Sequence, residues 1–247
     1  MKKPLISQFS GRIKKMRIIS GFACYGGRLL AYDETEQRIT INDRGQVWLT
    51  RYDRAPNPFY PDQMYSKQYF RLSPESTNRI IDAGTEFFCQ YKYQSMRDSQ
   101  KWCAYLENTE GKLFYTEGTR TYEYPLDTRN LTDAIREELG IQDLLLVGND
   151  TWDEENWEDP VPCWYESASF EEVFQQAEIG LDSDHDRRVE LLRALEYHYW
   201  DYEGPDVEKI KRIQRLMHRY VLTLESERAV KEDKNSFTWE ELAEDEE

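Results

Sequence analysis

The spacing of apolar and polar residues changes along the chain, from a two-residue period to a three- and four-residue period. Arg38–Ile41 and Gln46–Tyr52 alternate polar and apolar residues around the turn-forming sequence Asn42–Gly45, which predicts a β-hairpin. Lys101–Glu107 and Lys112–Thr116 predict a second hairpin by the same pattern. Further strands are predicted at Arg17–Cys24, Arg28–Tyr32, Gln63–Leu72 and Arg120–Tyr124.

Two helices are predicted among these strands. Ser73 is a favourable N-cap, and the apolar residues after it recur every three or four positions to about Tyr93. A shorter helix, capped by Asn130 or Thr132, is predicted to end at Gly140, because glycine is favoured just after the last helical turn. This part of the chain therefore predicts an antiparallel sheet covered by one long and one short helix.

The C-terminal part has a helical period throughout. Ser169 and Glu172 form the pattern of a capping box, and Asp182 or Asp184 is a candidate cap for the next helix. The last helix has a seam of apolar residues at Ile210, Ile213, Met217, Tyr220 and Leu224. The predicted fold class is thus α+β, with an antiparallel sheet followed by a helical C-terminal region.

Changes in composition divide the chain into four predicted regions. Residues 1–148 form the α+β sheet domain, and residues 149–167 are an acidic and aromatic connector. Residues 168–228 form the helical region, and residues 229–247 are an acidic tail that we expect to be mobile.

Charge is distributed unevenly along the 247 residues, whose formal net charge is −16. Residues 1–125 carry a net charge of +5, while residues 126–247 carry −21. Met1–Tyr32 contains seven basic residues and no acidic one, whereas Glu137–Asp186 contains 16 carboxylates and no Lys or Arg. This asymmetry predicts either docking between the two parts or a charged partner.

Several classes of protein are disfavoured. The longest apolar runs are short, such as Leu144–Val147, and no apolar core of a signal peptide follows Lys2 and Lys3. The spacing of the four cysteines does not match a metal site; they are Cys24, Cys89, Cys103 and Cys163. We therefore expect a cytoplasmic protein with reduced thiols, without a membrane-bound segment.

Two segments resemble ligand-binding motifs only in part. Gly21–Arg28 has the glycine spacing of a phosphate-binding loop, but Gly27 and Arg28 replace the lysine and the hydroxyl residue. Asp182–Asp186 begins like a calcium loop, but Arg187 and Arg193 replace its glycine and its bidentate glutamate. We expect no cofactor and no bound metal. The alternative of a metal-dependent enzyme rests on Asp182, Asp184, His185 and Asp186.

The connector supplies the main functional hypothesis, because its tryptophans lie among carboxylates. The predicted partner-binding residues are Asp150, Trp152, Asp153, Glu154, Glu155, Trp157, Glu158, Asp159 and Trp164, together with Trp239 near the C-terminus. Tryptophan anchors and carboxylates suit a basic protein surface. We therefore expect a non-enzymatic interaction protein, such as a nucleic-acid-mimicking inhibitor of a nuclease or defence effector, or an immunity protein.

A structural alternative is self-association into a homo-oligomer, in which the basic N-terminus of one copy contacts the acidic half of another. Direct nucleic-acid binding is not expected from the sequence. A basic stripe of Lys211, Arg215 and Arg219 lies on the last predicted helix, but the acidic half around it repels a polyanion.

Overall fold

The computed structural model describes residues 6–21, 29–55, 62–93, 101–119, 129–147, 163–200 and 206–235. The chain divides into two compact units. We call the first the sheet unit; it comprises Met1–Leu29, Asp33–Arg54 and Pro61–Asp159. We call the second the helical unit; it comprises Leu30–Tyr32, Ala55–Tyr60 and Pro160–Glu247. The expected α+β class is confirmed.

The sheet unit contains an antiparallel sheet of six described strands. They are β1 (Ile13–Gly21), β2 (Glu34–Asn42), β3 (Gln46–Asp53), β4 (Gln63–Arg71), β5 (Lys101–Asn108) and β6 (Leu113–Thr119). Their order across the sheet is β4-β3-β2-β1-β5-β6. The first strand therefore lies in the interior of the sheet, between β2 and β5.

Both predicted hairpins are confirmed, and each has a left-handed glycine in its turn. Gly45 has a φ of 77° and Gly111 a φ of 78°, a region that favours glycine. The side-chain oxygens of Asn42 and Asn108 accept backbone N–H groups within these turns. The turns therefore fix the registers of β2 with β3 and of β5 with β6.

Two of the other strand predictions have different outcomes. Arg28–Tyr32 is wrong where it is described, because residues 29–32 are coil and turn, and Tyr32 has a φ of 65°. A β-strand requires a negative φ, so the chain turns there instead of pairing. The predicted strand at Arg120–Tyr124 lies outside the described residues.

Two helices pack on one face of the sheet. The first, α1 (Pro74–Gln90), begins at the predicted cap, where the Ser73 side chain accepts the Ser76 N–H. The second, α2 (Arg129–Leu139), is followed by Gly140 with a φ of 68°, as predicted. Asn130 and Thr132 do not cap it, because both lie inside the helix. The core between the helices and the sheet includes Met16, Ile18, Ile80, Phe88 and Ile135.

The helical unit contains α3 (Trp164–Ser167), α4 (Phe170–Ile179), α5 (His185–Trp200) and α6 (Val207–Asn235). The predicted capping box of Ser169 and Glu172 is present at the start of α4. Its core includes Phe174, Leu192, Leu195, Ile213 and Tyr220. None of the helices in the described part of the chain combines the length and the apolar character that a membrane crossing needs.

Candidate functional site

The face of the sheet opposite α1 and α2 is exposed at β1 and β4 and more buried at β6. Along β1, Met16 and Ile18 are buried in the core, whereas Lys15 and Arg17 are exposed, because successive side chains of a strand point to opposite sides. We call the solvent-turned side the open face. Its residues come from all six described strands, so it is a broad surface on a rigid scaffold.

The strand register places one continuous row of residues across the open face. Each residue of the row is the cross-strand partner of the next, from β4 to β6. We call it the aromatic row, and it consists of Tyr69, Trp48, Thr40, Arg17, Tyr105 and Tyr115. Four of its six members are aromatic, and a cation lies between the two aromatic pairs.

In each aromatic pair, one ring is more exposed to solvent than the other. The centroids of Trp48 and Tyr69 lie 5.6 Å apart, and those of Tyr105 and Tyr115 lie 5.1 Å apart. Tyr69 and Tyr105 are 46% and 43% exposed, whereas Tyr115 is only 4% exposed. The contacts with Trp48 and Tyr115 restrict the side chains of Tyr69 and Tyr105, so these side chains lose little conformational freedom on binding.

Tyr115 is fixed by a second interaction. Its hydroxyl donates a hydrogen bond of 2.6 Å to the carboxylate of Glu117, which is two residues further along β6. Burial raises the pKa of Tyr115 well above its ordinary value, and the bond to Glu117 raises it further. The phenol therefore stays neutral at physiological pH and serves as a rigid support for Tyr105.

Arg17 is an exposed cation at the centre of the aromatic row, and Lys15 on the same strand has Glu107 as its cross-strand neighbour. Within the described residues, no carboxylate forms an ion pair with Lys15 or Arg17. Two other basic residues of β1 and β2 are paired with carboxylates. Arg38 pairs with Glu36, and the amine of Lys14 lies 2.7 Å from Glu107. The centre of the aromatic row is therefore locally positive and suits an anionic group.

A cavity of about 320 Å³ adjoins the row where β1 and β6 end and β5 begins. Its wall includes the side chains of Lys101, Cys103, Tyr115 and Glu117. Trp102 also lines it, and the buried indole N–H of Trp102 has no hydrogen-bond acceptor among the described residues. The cavity thus has an ammonium group and a carboxylate among its lining residues, whereas the Trp102 side chain belongs to the core on the other face of the sheet.

Most of the predicted partner-binding residues lie outside the described residues. Those outside the described residues are Asp150, Trp152, Asp153, Glu154, Glu155, Trp157, Glu158, Asp159 and Trp239. Trp164 is described and begins α3, where its indole N–H lies 2.5 Å from the Glu190 carboxylate. The guanidinium of Arg187 lies 5.3 Å from the centroid of its ring. Trp164 is thus half-buried and engaged within the helical unit.

Part of the acidic stretch pairs with arginines of the sheet unit. Glu137 and Glu138 of α2 both contact Arg79 of α1. Both oxygens of Asp143 accept hydrogen bonds from Arg51, at 2.6 and 2.7 Å, and these bonds hold the pKa of Asp143 below its ordinary value. These three carboxylates therefore have a structural role, since they join α2 to α1 and the loop after α2 to β3.

The Asp182–Asp186 segment runs from the end of a 3-10 turn, Gly180–Asp182, into the first residues of α5. The Asp184 carboxylate accepts the Arg187 N–H at 2.9 Å, so Asp184 is the N-cap. His185 Nδ1 lies 2.8 Å from Glu227 of α6. Over the described ranges, no three His, Cys, Asp or Glu side chains are grouped so that they could hold a metal ion.

Comparisons with known proteins give no relative for this chain. No protein-family model matches it, and neither a curated protein nor a solved structure shows a significant match.

The aromatic row is the feature that the sequence interpretation missed. Its signal is present in the predicted hairpins, because Val47 and Leu49 are core positions and Trp48 between them must face outward. The same reasoning places Tyr105 outside, between Ala104 and Leu106. Pairing of β1 with β5 then joins the two hairpins into one face, and no local sequence pattern indicates that pairing.

Proposed function

We propose that this protein is a non-enzymatic interaction protein that binds an anionic partner through the open face of its sheet. The observation that carries the proposal is the aromatic row, in which exposed Arg17 lies between two packed aromatic pairs. Arginine and tyrosine are enriched among the residues that dominate binding energies.

The proposal is compatible with the strongly acidic whole chain, because charge acts locally in salt solution. The screening length is about 8 Å at physiological ionic strength, so an anion at Arg17 responds mainly to the charges of the open face. Lys15 lies on the same strand and the same face as Arg17, and both side chains are exposed. A partner that meets these two cations and the exposed Tyr105 ring gains charge contacts and apolar contacts together.

Retention on a heparin column tests the proposal, because heparin is a polyanion and a protein of pI 4.8 is otherwise excluded from it. We expect the wild-type protein to be retained at low salt. Arg17→Glu reverses the charge at the centre of the row and should abolish retention.

Arg215→Glu is the matched control, since Arg215 is an exposed arginine of α6 in the helical unit and the change in net charge is identical. We expect this variant to elute with the wild-type protein. Equal losses in the two variants would show that net charge alone governs retention, and the open face would then not be the binding surface. Absence of wild-type retention would also contradict the proposal.

A second candidate function keeps the acidic surface as the binding site for a basic protein. It is favoured by one face of α4 and the turn after it, where Glu171, Glu178 and Asp182 are exposed beside Ile179. Ile179 is 79% exposed, and an apolar side chain among carboxylates is typical of an anchor for a partner. The nucleic-acid-mimicking inhibitor or immunity protein belongs to this candidate.

The two candidates respond to different variants. Replacing Glu171, Glu178 and Asp182 together by alanine should weaken capture of a basic partner and leave heparin retention intact. The same result is expected when Asp153, Glu154, Glu155, Glu158 and Asp159 are replaced together by alanine. Self-association between the basic and acidic parts of two copies predicts instead a mass that decreases as salt is raised. Light scattering at low and high salt measures that mass, and a monomer under both conditions rejects self-association.

A further inference from the structure

We infer that the anionic partner of the open face is single-stranded nucleic acid, with bases stacked on the two aromatic pairs and a phosphate group at Arg17. The inference rests on the proposed function and names its ligand class. It concerns the sheet, whereas the basic stripe considered from the sequence lies on α6 in the helical unit.

The aromatic pairs suit bases because each combines an exposed ring with a less exposed ring on the adjacent strand. Tyr105 is 43% exposed and rests on Tyr115, which the hydrogen bond to Glu117 holds in place. At the other end, Tyr69 is exposed beside Trp48. Proteins that bind single strands combine such stacking surfaces with a cationic path for the backbone, and every base has a face that can stack.

The spacing along the row favours an unpaired strand. The two exposed rings, Tyr69 on β4 and Tyr105 on β5, are separated by four inter-strand steps, which is about 19 Å. Arg17 on β1 lies between them, so a strand that crosses the sheet along the row meets a ring, a cation and a ring in succession. In a duplex the base faces are covered by their neighbours and cannot reach these rings.

An acidic peptide fits the row less completely. Its carboxylates can meet Arg17 and Lys15, but it leaves the exposed rings of Tyr69 and Tyr105 without a stacking partner. Phosphate and base together satisfy both the cations and the rings, which is why we favour nucleic acid.

Fluorescence anisotropy with labelled oligodeoxyuridylate and oligouridylate of about 15 nucleotides tests the inference, because the two differ only in the 2′-hydroxyl. A duplex of equal length and polyglutamate are the competitors. We expect both single strands to bind, and both competitors to displace them only weakly. A preference for oligouridylate would identify RNA through its 2′-hydroxyl, and equal binding would identify the shared base and phosphate chemistry.

Tyr105 gives a matched pair of variants, because its hydroxyl is not part of the stacking surface. Tyr105→Phe keeps the ring and should bind as the wild type does. Tyr105→Leu keeps apolar bulk without the ring, and should weaken binding by about 5- to 150-fold, the effect of losing one stacked base. Circular dichroism of both variants, and their unchanged retention on heparin, show that the sheet and its charge are intact.

Salt dependence tests the contact with phosphate separately. The slope of log affinity against log salt should decrease in magnitude by about 0.7 in Arg17→Ala, the value for one lost phosphate contact with a single strand. Tyr105→Leu should leave the slope unchanged.

Three results would overturn the inference while leaving the proposed function in place. One is equal weakening by Tyr105→Phe and Tyr105→Leu, and another is displacement by polyglutamate as effective as by unlabelled oligonucleotide. The third is heparin retention with no oligonucleotide binding, which would reject nucleic acid alone. Loss of both activities from the wild-type protein would reject the inference and the proposed function together.

Discussion

The Glu196 carboxylate of α5 accepts the backbone N–H of Ala31 at 2.7 Å, and both residues are fully buried. One turn earlier, the Arg193 guanidinium donates to the Ala31 carbonyl at 2.8 Å. The backbone of Ala31 is thus satisfied from both sides by side chains of one helix. This explains why Leu30–Tyr32, which precedes β2 in the sequence, belongs to the helical unit.

Removing the Glu196 acceptor should destabilise the protein. Glu196→Ala leaves the buried Ala31 N–H without its partner, which costs about 1–3 kcal/mol of the free energy of unfolding. Glu196→Gln retains an oxygen that can accept the bond, so we expect a smaller loss. Urea unfolding followed by circular dichroism measures both, and equal losses would show that the hydrogen bond to Ala31 contributes little.

The two hairpin glycines should respond differently to alanine. Both have a positive φ, which costs an L-residue about 1–2 kcal/mol. A Cβ at Gly111 meets nothing within 4 Å, whereas at Gly45 it would lie 2.6 Å from the Thr77 hydroxyl and 2.8 Å from the Leu72 carbonyl. Gly45→Ala should therefore lower the free energy of unfolding by more than Gly111→Ala. Thermal unfolding of both variants tests this, and equal shifts of Tm would contradict the close contact.

The Arg51–Asp143 pair should stabilise the protein in a pH-dependent way. The bonds from Arg51 hold the pKa of Asp143 below its ordinary value, so the native state favours the ionised carboxylate. Its stabilisation is present above the unfolded-state pKa, about 3.9, and is lost as the pH falls through the native-state pKa. Because Asp143 is largely exposed, we expect Asp143→Asn to cost about 0.2–1 kcal/mol at neutral pH.

Urea unfolding at neutral and acidic pH measures this difference. The loss caused by Asp143→Asn should shrink at acidic pH, where the wild-type carboxylate is protonated as well. Glu110→Gln is the control, since Glu110 is exposed and contacts no basic side chain in the described residues. A loss that does not depend on pH would indicate that Asp143 stabilises the protein through packing and not through its charge.

The capping box of α4 gives a prediction with two readouts. Ser169→Ala removes the acceptor for the Glu172 N–H, and should lower the free energy of unfolding by about 1 kcal/mol. The Ser169 side chain also holds the pKa of Glu172 below its ordinary value, so the variant should raise that pKa. Nuclear magnetic resonance titration measures the pKa. Ser226→Ala is the control, because Ser226 is exposed inside α6. This variant should not lower the free energy of unfolding and should leave the pKa of Glu172 unchanged.

The features that could be predicted from the sequence are local. The hairpin turns at Gly45 and Gly111 and the caps at Ser73 and Ser169 each depend on residues within a few positions, so their patterns were sufficient. The burial of Ala31 beside Glu196 joins distant positions, and it was missed for that reason. The aromatic row was also missed, because it exists only when β1 joins the two hairpins.

The interior position of β1 also has a consequence for how the protein folds. Met16 cannot pair with Leu106, its partner on β5, until most of the sheet unit has been synthesised. Closing so long a loop is slow, whereas the β2–β3 and β5–β6 hairpins close over short turns. Until β5 is synthesised, the backbone N–H and C=O groups on one edge of β1 remain unpaired and its apolar side chains remain exposed. We expect aggregation to compete most strongly with folding during this interval.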